Sequence, residues 1–169
     1  ILTSQVSRVE ILKGNQSSVY GSGAIGGTIN ITTKKGETGF QKNIQYNNAS
    51  HGTHNLSVAF SGADENVDFY IGLERFHTDG MSAMTHNDEK DRYRNNSLVA
   101  NYGHAFSDKI KFESNARIAE TYNQYDKEVD TATATHSEEV DAVQSSSNIA
   151  LVYKPNQKFT NKLSLANTY

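Results

Sequence analysis

The chain has no cysteine, no tryptophan and a single proline, Pro155. Without cysteine there is no disulfide framework, no thiolate metal site and no thiol nucleophile. Apolar residues are scarce too: 36% are hydrophobic, against roughly 45–50% in ordinary globular domains. No stretch approaches the ~18 consecutive apolar residues of a membrane helix. Basic blocks are missing: 16 Lys and Arg stand against 19 Asp and Glu, for a net charge of −3. Nucleic acid is therefore not an expected partner. The chain starts at Ile1 rather than Met, and "NKLSLANTY" stops within a strand-like pattern. It is expected to be a piece of a longer protein, so the lack of a signal peptide carries no information on localisation.

What is present is period-two alternation. In "VDFYIGLER", Val67, Phe69, Ile71 and Leu73 take one face, and Asp68, Tyr70, Gly72 and Glu74 the other. "HNLSVAF" sets Leu56, Val58 and Phe60 against Asn55, Ser57 and Ala59. "KIKFESNARIAE" sets Ile110, Phe112, Ala116 and Ile118 against Lys111, Glu113, Asn115 and Arg117. "NIALVY" and "KFTNKLSLANTY" continue the pattern, and "FQKNIQY" and "NSLVANYGHAF" carry weaker forms of it, giving about seven strands from residue 37 onward. No segment has sustained helical periodicity. Short connections ("GADEN", "FSDK", "KPNQK") alternate with long polar ones at residues 78–92 and 126–139. Phe60, Phe69, Phe106, Phe112, Tyr153 and Phe159 all lie near the short turns. Tight turns at one end, larger loops at the other and an aromatic ring at one rim are the pattern of a transmembrane β-barrel.

Residues 1–36 differ. "SRVEILKG" is a short strand ending at Gly14, Gln16–Tyr20 suits one helical turn, and "TINITTKKG" is a second, β-branched strand. Between them, "YGSGAIGG" contains a G-x-G-x-x-G at Gly21, Gly23 and Gly26. A dinucleotide site needs a helix to start at the last glycine, because its N-terminal N–H groups hold the pyrophosphate. Here the glycines lead into a strand, which excludes that use. Gly26 and Gly27 are expected to serve a tight turn and close strand packing. Tyr20 is expected to bury its ring and hydrogen-bond its hydroxyl.

The wider stretch "VSRVEILKGNQSSVYGSGAIGGTINITTKKG" resembles the end of the plug domain of TonB-dependent outer-membrane receptors. Val9, Glu10, Lys13, Gly14, Ser17, Tyr20, Gly21, Ala24, Gly26, Gly27, Ile29, Asn30, Ile31 and Thr33 fit that pattern in order, with Asn15 where the family usually has Pro. The resemblance implies an all-β fold: a fragment of a transmembrane antiparallel β-barrel, preceded by the C-terminal part of a plug domain. Residues 1–36 would be plug and 37–169 the N-terminal barrel strands. About seven strands cannot close a barrel of about 22 strands, so the fragment alone is not expected to transport. The resemblance also implies a bacterial outer-membrane location, contact with membrane lipid, and TonB as partner through a segment not in this sequence. The ligand would be a scarce nutrient: a ferric siderophore or other iron chelate, haem, or cobalamin. No enzyme activity and no catalytic residue are expected.

The two long polar stretches are acidic. Hard oxygen ligands in loops suit calcium, and the cobalamin receptor subgroup binds calcium in such loops, so Asp88, Asp91 and Asp126 are the candidate metal ligands. His77 and His86 in the first stretch are candidates to touch haem or iron, but no H-x₃₋₅-H pair supports zinc. The alternative is a soluble or surface-attached β-sandwich binding module, in which the glycine motif is coincidental.

Overall fold

The computed structural model describes residues 2–81, 90–126 and 137–169, with 126 and 137 described by backbone alone. The chain divides into two units, Ile1–Lys34 and Lys35–Tyr169.

The first unit is a hairpin. After a 3-10 turn at Thr3–Gln5, strand β1 (Val6–Lys13) pairs antiparallel with β2 (Gly27–Thr33). Their connection holds a one-turn helix, α1 (Ser17–Tyr20). The Asn15 carboxamide oxygen accepts a bond from Ser17 N at 2.9 Å, so Asn starts the turn by its side chain where the family pattern uses Pro. Gly21, at φ 85°, ends the helix in a conformation that disfavours any Cβ. Gly27, at φ 144°, lies so close to β1 that a Cβ would sit 2.6 Å from the Leu12 carbonyl oxygen. Gly26 has open space around it, so the close approach expected of both glycines falls on Gly27. Tyr20 is a correction: it stays 49% exposed. A single helical turn has no second turn against which to press the ring, and Val19 beside it is exposed as well.

The second unit is one antiparallel meander of seven strands, each paired with the next: β3 (Gly39–Ala49), β4 (Thr53–Ala63), β5 (Val67–Thr78), β6 (Tyr93–Ser107), β7 (Ile110–Asp126), β8 (Ser137–Asn156) and β9 (Phe159–Thr168). Among the described residues no helix is long and apolar enough to cross a membrane. The strands have the reach instead. β3 and β4 have 11 residues each, against the ~9–11 that cross a bilayer at a tilt. Side chains close the short turns. Asp64 Oδ1 accepts bonds from Asn66 N (2.8 Å) and Val67 N (2.7 Å). Asn156 Oδ1 does the same for Lys158 N (3.0 Å) and Phe159 N (3.2 Å).

β7 and β8 run further than the alternation alone marks, to Asp126 and from Ser137. The added segments, "TYNQYD" and "SEEVDAVQSSS", are polar on both faces. Ladder pairing persists there, with Tyr122 opposite Asp141 and Gln124 opposite Glu139. Beyond the lipid both faces meet water, so the hydrophobic period fades while the hydrogen bonds continue.

The sheet is inside out by the standard of a soluble protein. Ile44 (73%), Leu73 (52%) and Leu163 (74%) are exposed, while Ser57, Glu74, Asn95, Ser97 and Asn101 are buried. A run of this many exposed branched aliphatic side chains on one face costs too much in water to be left uncovered. In a bilayer it is the favoured arrangement, with apolar residues facing lipid and polar ones facing the lumen. Below this band the outward side chains turn aromatic. Phe69 pairs in register with Tyr102, and Phe112 with His104. Ring centroids lie 6.3 Å apart for Phe40–Phe69 and 6.4 Å for Tyr102–Phe112. Lys42 Nζ sits 5.4 Å over the Phe40 ring. Rings with a cationic neighbour suit the boundary between hydrocarbon and headgroups.

Candidate functional site: the polar face of the strand sheet

Residues directly opposite one another on successive strands form rungs, and alternate rungs face inward. One inward rung runs Ser57, Glu74, Ser97, Ala119. The buried Glu74 accepts a bond from Asn55 Nδ2 at 2.9 Å, which reaches it diagonally along the face. The next rung outward along the strands carries Asn95, whose Nδ2 donates to Thr121 Oγ1 at 2.8 Å, and Phe76, whose ring lies 5.9 Å from that of Tyr93. Toward the short turns, Tyr70 lies flat along β5. A Cβ on Gly72 would come within 2.6 Å of its hydroxyl, so the ring occupies the space that Gly72 leaves.

Below Tyr70 the inward face carries alternating charge. Asp68 Oδ2 accepts from Lys111 Nζ at 3.1 Å. Lys111 lies 3.9 Å from Glu113, whose other oxygen pairs with Lys162 Nζ at 3.0 Å. These four groups come from β5, β7 and β9 and bridge strands that are not ladder neighbours. Three buried or half-buried polar atoms on this sheet, Asn55 Oδ1, Asn95 Oδ1 and Arg117 Nε, have no hydrogen-bond partner among the described residues. The face is thus a polar wall, held in shape by its own bonds, with both donors and acceptors still on offer.

In the hairpin unit, Glu10 and Asn30 are direct register partners, and Asn30 Nδ2 donates to Glu10 Oε2 at 2.9 Å. The other Glu10 oxygen pairs with Arg8 at 3.2 Å. Gly14, at φ 90°, turns the chain out of β1, and its N–H donates to the Gly26 carbonyl at 3.3 Å. Gly21 and Gly27 shape the connection as described above.

The candidate calcium ligands are only partly visible. Asp88 lies outside the described residues, as does His86; Asp126 ends β7, with backbone alone described. Asp91 is half-buried near the start of β6. Among the described residues no group of three or more His, Cys, Asp or Glu is placed to hold a metal. Asp79, an acidic residue of the first long stretch outside the three candidate ligands, is anchored by two basic side chains. It accepts from Lys90 Nζ at 2.9 Å, lies 3.4 Å from His77 Nε2, and packs against the β3–β4 turn where Gly52 leaves room. Lys90, ahead of His77, holds its carboxyl below the ordinary carboxylate range. The charge bridge over Gly103 was missed, although the lone Gly on an inward position of β6 was its available signal.

The family model of the TonB-dependent Receptor Plug Domain matches residues 1–28. The chain is 28% identical over 141 residues to the vitamin B12 transporter BtuB of Vibrio cholerae serotype O1, covering 80% of this chain and 23% of that protein. It is 27% identical over 124 residues to the vitamin B12 transporter BtuB of Photobacterium profundum, covering 72% of this chain and 20% of that protein. The chain thus spans only about a fifth to a quarter of the length of the curated relatives it matches. The similarity is too long to be confined to the hairpin and extends across the strands, whose lipid-facing and lumen-facing sides have just been described. Residues 1–28 are thus similar to a TonB-dependent receptor plug domain, and the chain as a whole is similar to part of these outer-membrane transporters.

Proposed function

We propose that this chain forms part of a receptor for the uptake of cobalamin across the outer membrane, driven through TonB. The observation that carries the ligand class is the similarity to vitamin B12 transporters over 80% of the chain. The chemistry of the inward face supports it. Asn55, Glu74, Asn95 and Thr121 form a hydrogen-bonded wall rich in amides and hydroxyls. Such a surface exchanges hydrogen bonds with water and with an amide-rimmed ligand at similar free energy, so it lines a path without creating a deep trap. In this reading the hairpin of β1 and β2 belongs to the gate on which TonB acts, and the Glu10–Asn30 bond is one of its cross-strand ties.

Calcium is a further part of the proposal. Asp88, Asp91 and Asp126 would supply it with hard oxygen ligands from the two long connections. Its test is a calcium titration of the purified receptor, with Asp88→Asn and Asp126→Asn expected to weaken binding and unchanged binding contradicting it. The ligand is tested by equilibrium binding to isolated outer membranes carrying the receptor. Cyanocobalamin is expected to bind saturably, and haem and ferric siderophores are not. Saturable binding of an iron chelate with no binding of cyanocobalamin would replace this ligand by the other.

A further inference from the structure

Along most of its length the inward face of the sheet is polar, with Ser57, Glu74, Ser97 and Asn101 buried in it. Toward the long connections it turns aromatic. Phe76 lies two residues beyond Glu74 on β5, and Tyr93 two residues before Asn95 on β6, so strand alternation puts both rings on that face. Tyr125 reaches the same face of β7 by alternation from Ala119. The rings step across the strands: Phe76 is opposite Asn95, Tyr93 is opposite Asn123, and Tyr125 stands two residues beyond Asn123. Phe76 and Tyr93 have ring centroids 5.9 Å apart and planes at 59°. The Tyr125 hydroxyl donates to Glu138 Oε2 at 3.1 Å. Tyr70, by contrast, is 4% exposed, with its ring in the space that Gly72 leaves. The upper rings are not used up within the sheet in this way: Phe76 and Tyr93 are half-buried, and Tyr125 is 39% exposed.

We propose that Phe76, Tyr93 and Tyr125 form a wall that contacts the transported ligand and receives a planar conjugated ring rimmed with uncharged amides. This rests on the cobalamin reading above and adds to it the residues that select the ligand's chemistry. Two rings tilted at 59° offer one face and one edge. A conjugated ring entering beside them stacks offset on the face and meets the edge in a T-shaped contact. Position makes this a ligand surface. The aromatic side chains near the short turns face lipid, whereas these face the lumen, at the end of the strands that carries the long connections and is therefore extracellular. Charge then selects the rim. Among the described residues, the charged groups nearest on this face are carboxylates: Glu74 two residues before Phe76, Asp91 two residues before Tyr93, and Glu138 bonded to Tyr125. Arg75, Arg92 and Arg94 line a cleft on the opposite face. Arg117 faces inward but shares a rung with Gly72 and Val99, two rungs below Phe76. Carboxylates on a ligand's rim, such as haem propionates, are repelled here, and carboxamides are not. Thr78, Thr121 and Asn123, on the same face beside the rings, add hydroxyls and a carboxamide that suit an amide rim. The corrin ring of cobalamin, conjugated and edged with carboxamides, has this chemistry.

The test uses the receptor purified from outer membranes, with labelled cyanocobalamin as probe. Equilibrium binding gives Kd, and folding is monitored by heat-modifiable migration. The Phe76→Leu, Tyr93→Leu double variant keeps apolar bulk but loses both aromatic faces, and its Kd is expected to rise about 10-fold. The Phe76→Tyr, Tyr93→Phe double variant keeps the faces and is expected to bind as the parent does. Tyr102→Leu, which removes an outward ring near the short turns, is expected to leave Kd unchanged. Equal binding by the folded leucine double variant would overturn the proposal while leaving the ligand assignment in place. Loss of binding as large in the aromatic double variant as in the leucine one would also overturn it, because the rings would then matter only as packing. No saturable binding by the folded parent receptor would remove the ligand assignment, and this wall with it.

Discussion

Lys111 on β7 reaches over β6 to Asp68 on β5, Nζ to Oδ2 at 3.1 Å, and it crosses where β6 has Gly103. A Cβ at Gly103 would lie 2.8 Å from the Asp68 Cγ. The missing side chain is what lets two strands separated by a third share an ion pair. Gly103→Ala should therefore displace the Asp68 carboxylate and weaken the barrel wall by about 1–3 kcal/mol, in the range of overpacking. In an Asp68→Ala background the same change should cost much less, because the space is free. Urea unfolding of the receptor in lipid vesicles measures both; equal costs in the two backgrounds would contradict the crossing.

Glu10 and Asn30 tie the hairpin across its two strands. Asn30→Ala removes the donor and leaves Glu10 with Arg8 alone. A charge-assisted bond of this kind contributes about 1–2 kcal/mol, so amide hydrogen exchange should accelerate roughly tenfold in both β1 and β2. Exchange that rises in only one strand, or in neither, would show that the pair does not hold the hairpin.

Leu73 and Ser61 lie on opposite faces of the same sheet. Leu73→Arg puts a cation among exposed aliphatic side chains and should destabilise the folded receptor by about 2–4 kcal/mol, the range found near the bilayer midplane. Ser61→Arg, facing inward near the short turns, should cost far less. Equal effects would mean that the two faces are not lipid and lumen.

Asp79 gives the long β5–β6 connection a pH dependence of stated sign. Lys90, then His77, holds its carboxyl below the usual range. A group whose folded value is depressed contributes stability that is complete above the unfolded value of ~3.9 and is lost as pH falls through the folded value. The contact with the β3–β4 turn should therefore be constant from neutral pH to about 4 and loosen below that. The Gly52 amide resonance, beside the Asp79 carboxylate, reports it. Asp79→Asn should abolish the acid transition, and a transition between pH 5 and 8 would be the wrong one.

The alternation of Val67 to Glu74 carried the strand, its two faces and their exposure, because one face meets lipid and the other does not. The same reasoning located all seven strands of the sheet. It stopped short at the outer ends of β7 and β8, where water on both sides removes the hydrophobic period but not the ladder. Long-range pairs were beyond it. Lys111 and Asp68 are 43 residues apart and meet only through the stagger of three strands, which local pattern does not encode. The plug motif was legible as a family resemblance, but the work of its glycines was divided unevenly: Gly27 makes the close approach to β1, and Gly26 does not.

The account is tested most directly by uptake of labelled cyanocobalamin into cells whose own cobalamin receptor has been deleted and which express the receptor containing this chain. Saturable uptake that disappears when TonB is also deleted is the predicted result. Absence of cobalamin uptake by a receptor that is folded in the outer membrane and delivers an iron chelate instead would contradict it.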